Sequence, residues 1–249
     1  MKLYLAGVSS RENLKELDEA RYVLESFYIV RSRPKTIEKI KKRQWDDFLL
    51  DSGAYSFLAQ QMKGKGAKVD WDKYVEEYIE FIKENRVEKF FELDIDSVVG
   101  IKEVERLRAK LEKGVGRKCI PVWHVSRGKD YFVKMCKEYD YIAFGGILTD
   151  GVSTKKIIKY LPWFTKTAHK YGCKIHGLGL TCKGIEKLGL DTADSTSWLS
   201  GGRFGSLHQF DGEGIKSVSF KDKRAKNYMQ IDKHNLKEWI KYQKHLEKF

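Results

Sequence analysis

The chain has little of what builds stapled, metal-clasped or membrane-bound proteins. Four cysteines occur among 249 residues, Cys119, Cys136, Cys173 and Cys182, and none forms a C-x-x-C pair or joins a His cluster at zinc spacing. A disulfide framework and a structural zinc site are therefore not expected. The four read as small core residues or reduced thiols of a cytoplasmic protein. With only three prolines and no low-complexity linker or internal repeat, one domain over residues 1–249 is the simplest organisation. No apolar stretch is long enough to span a bilayer, so no membrane partner is expected. The opening run Met1–Ala6 is too short for a signal peptide and reads as a first strand. Acidic residues are the minority charge: 48 Lys+Arg against 35 Asp+Glu give a net +13. That surplus suits a polyanionic partner such as nucleic acid, and equally a lysine-rich composition with solvated helix faces.

Strand and helix signals alternate along the chain. Strands are expected near 2–8, 47–53, 89–95, 119–125, 141–147, 174–180 and 192–198, with an eighth near 215–220 after a glycine-rich stretch. Leu14, Leu17, Tyr22, Leu24 and Phe27 suggest a helical stripe over 11–27. Helices also fit 71–82, 101–112, 129–138, 154–170 and 183–188, and a closing basic helix fits 232–247. A βαβα alternation of this length predicts a parallel sheet with crossover helices, a (β/α)8 TIM barrel.

Several strands end in a polar group or a glycine, and burying a carboxylate at the end of an apolar run is costly without a reason. Asp51 closes Phe48-Leu49-Leu50-Asp51 and precedes Ser52-Gly53-Ala54-Tyr55. It is either a general acid/base with a raised pKa or a turn-capping aspartate. Asp94 and Asp96 alternate in Leu93-Asp94-Ile95-Asp96, which on a strand puts both on one face. They would accept from a donor-rich ligand edge, or pair with neighbouring lysines. Gly145-Gly146 would let a ligand approach the backbone, or serve helix–strand packing. His124 and His176 are strand-end histidines, more often satisfied core groups than catalysts. His176-Gly177-Leu178-Gly179 lacks the rest of a dinucleotide fingerprint. Asp194 opens Asp194-Ser195-Thr196-Ser197-Trp198. Facing Asp51 across a barrel mouth, it would suit double displacement at a sugar carbon.

In order, these segments resemble the tRNA-guanine transglycosylase superfamily, most closely its DNA-modifying branch, the phage and bacterial DNA 7-deazaguanine transglycosylases. Asp51-Ser52-Gly53-Ala54-Tyr55-Ser56 is similar to the family's Asp-Ser-Gly-Gly-Phe-Gln. Leu93-Asp94-Ile95-Asp96 falls where the family has its base-reading Asp, and Val122–Gly128 where it has Val-Gln-Gly-Gly. Phe144-Gly145-Gly146-Ile147 is similar to its Gly-Gly-Leu, and His176-Gly177-Leu178-Gly179 to its Met-Gly-Val-Gly. Leu190-Asp191-Thr192-Ala193-Asp194-Ser195 is similar to its Val-Asp-Met-Phe-Asp-Cys. The resemblance spans roughly residues 47–205.

The resemblance implies exchange of guanine in nucleic acid for a 7-deazaguanine base such as preQ0. It implies Asp194 as nucleophile and Asp51 as general acid/base. Asp94 would read the base edge beside Asp96, and Tyr55 would stack on the base. His124, Gly145, Gly146, His176 and Gly177 would complete the binding site. The C-x-C-x-x-C zinc subdomain of the tRNA enzymes is absent from the sequence. DNA is therefore expected as substrate, with tRNA the alternative, no metal or cofactor, and a location in bacterial or phage-infected cytoplasm. A non-catalytic nucleic-acid-binding subunit is the third reading. The basic candidates for phosphate contact are Lys63–Lys68, the Arg31–Arg43 segment and the C-terminal helix.

Overall fold

A computed structural model describes residues 1–54, 69–145, 154–219 and 228–249. Its centre is an eight-stranded parallel sheet: β1 (Lys2–Ala6), β2 (Tyr22–Ser26), β3 (Asp47–Asp51), β4 (Lys89–Phe90), β5 (Val122–Trp123), β6 (Tyr141–Phe144), β7 (Lys174–Gly177) and β8 (Thr192–Ser195). The strand order is β4-β3-β2-β1-β8-β7-β6-β5. A parallel bridge between Phe91 and Ile120 joins the two end strands. There the Ile120 amide donates to the Phe90 carbonyl at 2.8 Å and the Glu92 amide to the Ile120 carbonyl at 3.0 Å. The ring so formed follows chain order, as a TIM barrel requires.

Alternation along the strands sorts the side chains into two layers. Tyr4, Ala6, Tyr22, Leu24, Leu49, Phe91, Ile120, Val122 and Ala143 pack together inside the ring. Leu3, Leu5, Val23, Leu50, Phe90, Ile142 and Ile175 belong to the larger core under the helices. That outer layer receives α1 (Pro34–Lys41), α2 (Trp71–Glu84), α3 (Ile101–Val115), α4 (Gly128–Glu138) and α5 (Thr154–Lys170). Because both strand faces are buried, the strands read as apolar runs.

Three expectations are corrected, the first being the helix at 183–188, where only a 3-10 turn forms at Ile185–Lys187. No helix spans 11–27: 3-10 turns occupy Val8–Arg11 and Lys15–Glu19, and Tyr22–Ser26 is a barrel strand. The apparent stripe mixed turn residues with a strand whose outward side carries Glu25, so no clean apolar run marked it. The segment near 215–220 is not the eighth barrel strand. Ile215–Ser219 (β10) pairs antiparallel with Ser206–Phe210 (β9), apart from the ring. The Asp211 carboxylate forms their turn, accepting from the Glu213 and Gly214 amides at 3.0 and 2.8 Å.

The last helix, α6 (Tyr228–Leu246), ties the hairpin and the barrel together. Asn235 accepts from the His208 amide at 2.7 Å, and Glu238 accepts from the Phe210 amide at 2.9 Å. Fully buried Gln243 donates to the Leu3 and Tyr22 carbonyls at 2.7 and 2.9 Å, and accepts from the Arg21 amide at 2.8 Å. One side chain thus satisfies the backbone at the starts of β1 and β2. Nearby, the Asp47 carboxylate accepts from Lys89, Tyr4 and Lys2 at 2.6, 2.8 and 2.9 Å. Burial opposes its charge, but these donors outweigh that and hold Asp47 below the usual carboxylate range. No described helix is long and apolar enough to cross a membrane.

Phe91 is fully buried where the ring closes. Phe91→Ala should therefore cost about 3–5 kcal/mol and lower the Tm by roughly 10 °C, measured by thermal denaturation. A Tm within about 2 °C of wild type would mean that the Phe91 side chain carries little of the barrel's stability.

Candidate active site

The C-terminal ends of the strands gather the polar groups that the sequence singles out. Asp51 ends β3 with the inward parity of Leu49. Its Oδ2 accepts from the Gly53 amide at 2.9 Å. Gly53 has φ +77°, and a Cβ there would sit 2.5 Å from Tyr28 Cβ, so glycine alone fits this turn. From α2, Tyr74 donates to the Ser52 carbonyl at 2.6 Å and Tyr78 to the Leu50 carbonyl at 3.0 Å, fixing the strand end. Burial pushes the Asp51 carboxyl up to about 7; the Gly53 amide opposes this, and the charges of Asp94 and Asp194 add to it. Asp51, Asp94 and Asp194 therefore share one electrostatic environment.

Asp194 lies on β8, 6% exposed. Its Oδ1 accepts from the Gly179 amide at 2.7 Å and faces His176 Nε2 at 3.1 Å. The Gly179 amide and His176 Nε2 thus converge on one carboxylate oxygen. His176 is fully buried beneath Asp194, with Nδ1 2.7 Å from Thr192 Oγ1. It supports the carboxylate from below and presents no surface to a ligand. Gly177 points the other way, into the outer layer, where a Cβ would come within 3.1 Å of Leu180 and Leu190.

Asp94 and Asp96 meet by a different route from the one expected. They do not alternate on a strand, since β4 stops at Phe90 and Asp96 starts a short helix, Asp96–Val99. The turn nonetheless brings Asp94, Asp96 and His124 together, with ligand atoms within 4.8 Å of one another. His124 Nε2 is 2.5 Å from Asp94 Oδ1. Burial opposes charge on His124, but the Asp94 hydrogen bond and charge outweigh it and raise its pKa. Arg127 Nε donates to Asp96 at 2.9 Å. Among the described residues, this trio is the set that could hold a metal ion. Its carboxylates already face His124 and Arg127, so cationic partners are supplied within the chain. Gly145 makes room for the group: a Cβ there would lie 2.5 Å from Val122 Cγ1 and 3.3 Å from His124 Nε2. Its observed part is packing against His124. Tyr55, Gly146 and Lys63–Lys68 lie outside the described residues.

Sequence reasoning missed the groups that hold this mouth from outside. Glu92, fully buried, accepts from the Val122 amide at 2.7 Å and pairs with Arg127 and Arg108 at 3.1 and 3.2 Å. Burial raises Glu92, with both arginines opposing. Glu25 on β2 is also fully buried, accepts from the Ser9 amide, and is pushed by burial up to about 7. The available signal was a glutamate inside an apolar run. In the Arg31–Arg43 segment, Lys39, Lys42 and Arg43 face Asp18, Glu38 and Glu88 at 2.6, 2.6 and 2.9 Å. Such surface pairs are weak enough to yield to a phosphate.

No protein-family model and no curated protein matches the chain. Among solved structures, a GH18 chitinase from Pseudoalteromonas aurantia is similar at 12% identity and TM-score 0.49, over 78% of this chain and 93% of that one. The carboxyl transferase domain of Rhizobium etli pyruvate carboxylase with oxalate is similar at 12% identity and TM-score 0.46, over 99% of this chain and 47% of that one. A variant of that domain with pyruvate gives 14% identity and TM-score 0.46, over 99% and 48%.

The raised Asp51 sets a pH dependence of stability. Its folded form favours the proton, so its contribution is full below about pH 4 and is lost as pH rises through about 7. Asp51→Asn removes that loss. The variant should match wild type near pH 4 and exceed it by on the order of 4 kcal/mol at pH 8, read from denaturant melts at both pH values. Parallel curves would show that Asp51 titrates normally.

Proposed function

We propose that this chain is a transglycosylase that exchanges guanine in nucleic acid, DNA first, for a 7-deazaguanine base through a covalent Asp194–glycosyl intermediate. The observation that carries the reading is the convergence of Asp51, Asp94 and Asp194 at one mouth, with Asp51 poised near neutrality and Asp194 Oδ1 held between the Gly179 amide and His176 Nε2. This is the division of labour that displacement at a sugar carbon needs: one carboxylate to attack, one to carry a proton.

The target nucleoside leaves the stack to reach the mouth. An Asp194 oxygen bonds to C1′ as the bond from C1′ to guanine breaks, and protonated Asp51 gives its proton to the departing base. The incoming 7-deazaguanine loses its N9 proton to Asp51 and bonds to C1′, releasing Asp194 and restoring both groups. A pKa near 7 lets Asp51 act in both directions at neutral pH. The Asp94–His124 pair offers acceptor oxygens to the N1–H and N2–H donors of a guanine-type edge. The net +13 charge draws a polyanion without choosing between DNA and RNA.

The test offers labelled 7-deazaguanine precursor with DNA and tRNA together, followed by nucleoside mass spectrometry and denaturing gels. Wild type should incorporate label into DNA and form a denaturation-resistant adduct. Asp194→Asn should form none and lose at least about 10³-fold in exchange rate. Label in tRNA alone would move the substrate to tRNA. Full activity in Asp194→Asn would overturn the covalent mechanism.

A further inference from the structure

A buried hydrogen-bond chain runs across three strands beneath Asp194. Tyr141 on β6 places its hydroxyl 2.5 Å from Thr192 Oγ1 on β8. Thr192 Oγ1 is 2.7 Å from His176 Nδ1 on β7, and His176 Nε2 is 3.1 Å from Asp194 Oδ1. The Tyr4 ring packs edge-on against the imidazole at 6.0 Å, and Phe91 lies at 5.3 Å. His176 has no exposed surface, and Thr192 is 7% exposed. Water therefore does not compete for the ring nitrogens.

We propose that His176 is a positioning residue for Asp194: Tyr141 and Thr192 fix the imidazole with Nδ1 accepting, so that Nε2–H donates to Asp194 Oδ1 and leaves Oδ2 as the attacking oxygen. The role in attack rests on the reading of Asp194 as nucleophile. The direction of the chain follows from donor counting. Tyr141 donates to Thr192, and Thr192 spends its one proton on Nδ1, so the ring proton sits on Nε2. The reverse direction would put a bare Nε2 lone pair 3.1 Å from Oδ1, an oxygen that already accepts from the Gly179 amide. Two acceptors would then face each other in a dry site, which the burial of both residues makes costly. Oδ1 takes both of these donors, and Oδ2 takes no hydrogen bond among the described residues. Attack through Oδ2 leaves the two bonds on Oδ1 in place while charge moves to the sugar.

The sequence concealed this role. Alone, His176 reads as a core histidine or as a ligand-binding group; only the register His176↔Thr192 and the ring of strands show what it faces.

The test uses the full chain with Thr192→Val, Thr192→Ser, Tyr141→Phe and His176→Asn, each checked for an unchanged far-UV spectrum. The first readout is the nitrogen NMR of His176, which needs no activity. Nδ1 should be unprotonated and Nε2 protonated in wild type and Thr192→Ser, with this fixed tautomer lost in Thr192→Val. The second readout is base-exchange kinetics. Thr192→Val and His176→Asn should lower kcat about 10–10³-fold with KM within about twofold of wild type, because neither side chain touches substrate. Tyr141→Phe should lower kcat less, and Thr192→Ser should restore most of it. A protonated Nδ1 in wild type overturns the relay. A correct tautomer with unchanged kcat in Thr192→Val, or a raised KM at constant kcat, overturns its role in positioning. Wild type with the expected tautomer but no exchange and no adduct would leave the hydrogen-bond chain standing and end both the transglycosylase reading and the role in attack.

Discussion

Every feature of the mouth depends on one constraint: eight parallel strands close on themselves, so alternate residues must point into a space without water. Apolar groups fill most of that space, from Tyr4 and Leu24 to Phe91 and Val122. At the C-terminal rim the same inward parity delivers Asp51, His176 and Asp194 instead. A carboxylate in that position either finds donors or keeps its proton. Asp194 accepts from the Gly179 amide and has His176 Nε2 beside the same oxygen. Asp51 has the Gly53 amide and two carboxylate neighbours, and its proton is held to about pH 7. Two aspartates of identical chemistry thus sit in different environments, one beside donors and one buried among like charges.

The rim is held from behind by polar groups in the outer layer. Glu92 joins the Val122 amide, Arg108 and Arg127 between the ring and α3. Arg127 in turn carries Asp96, so the His124–Asp94–Asp96 trio is positioned through a buried ion network. Buried pairs of this kind are costly to assemble and more costly to leave half made. At the other end of the barrel, Gln243 and Asp47 satisfy strand starts and inward lysines. Polar burial there serves the fold, while at the rim it shapes the chemistry, a division common to this architecture.

Much of the barrel was legible in the chain. Seven strand segments and the helices expected at 71–82, 101–112, 129–138 and 154–170 followed from periodicity. Asp51 and Asp194 stood out because each interrupts an apolar run at its end. The second barrel strand was not legible, since Tyr22-Val23-Leu24-Glu25-Ser26 carries a buried glutamate that reads as polar. The segment near 215–220 resembled a barrel strand because local patterning does not distinguish parallel from antiparallel pairing. Asp94 and Asp96 were expected to share a strand face. They meet because a turn after Phe91 folds them onto His124.

The sequence by itself determined the alternation of apolar strands and amphipathic helices, the carboxylates at strand ends and the basic surplus. These are local or compositional properties, set by side-chain period and charge. Only the tertiary structure decided which strand closes the ring and which histidine supports which aspartate. It also decided which carboxyl group keeps its proton. Those depend on register between strands far apart in the chain and on the loss of water around each group, and both arise only when the barrel closes.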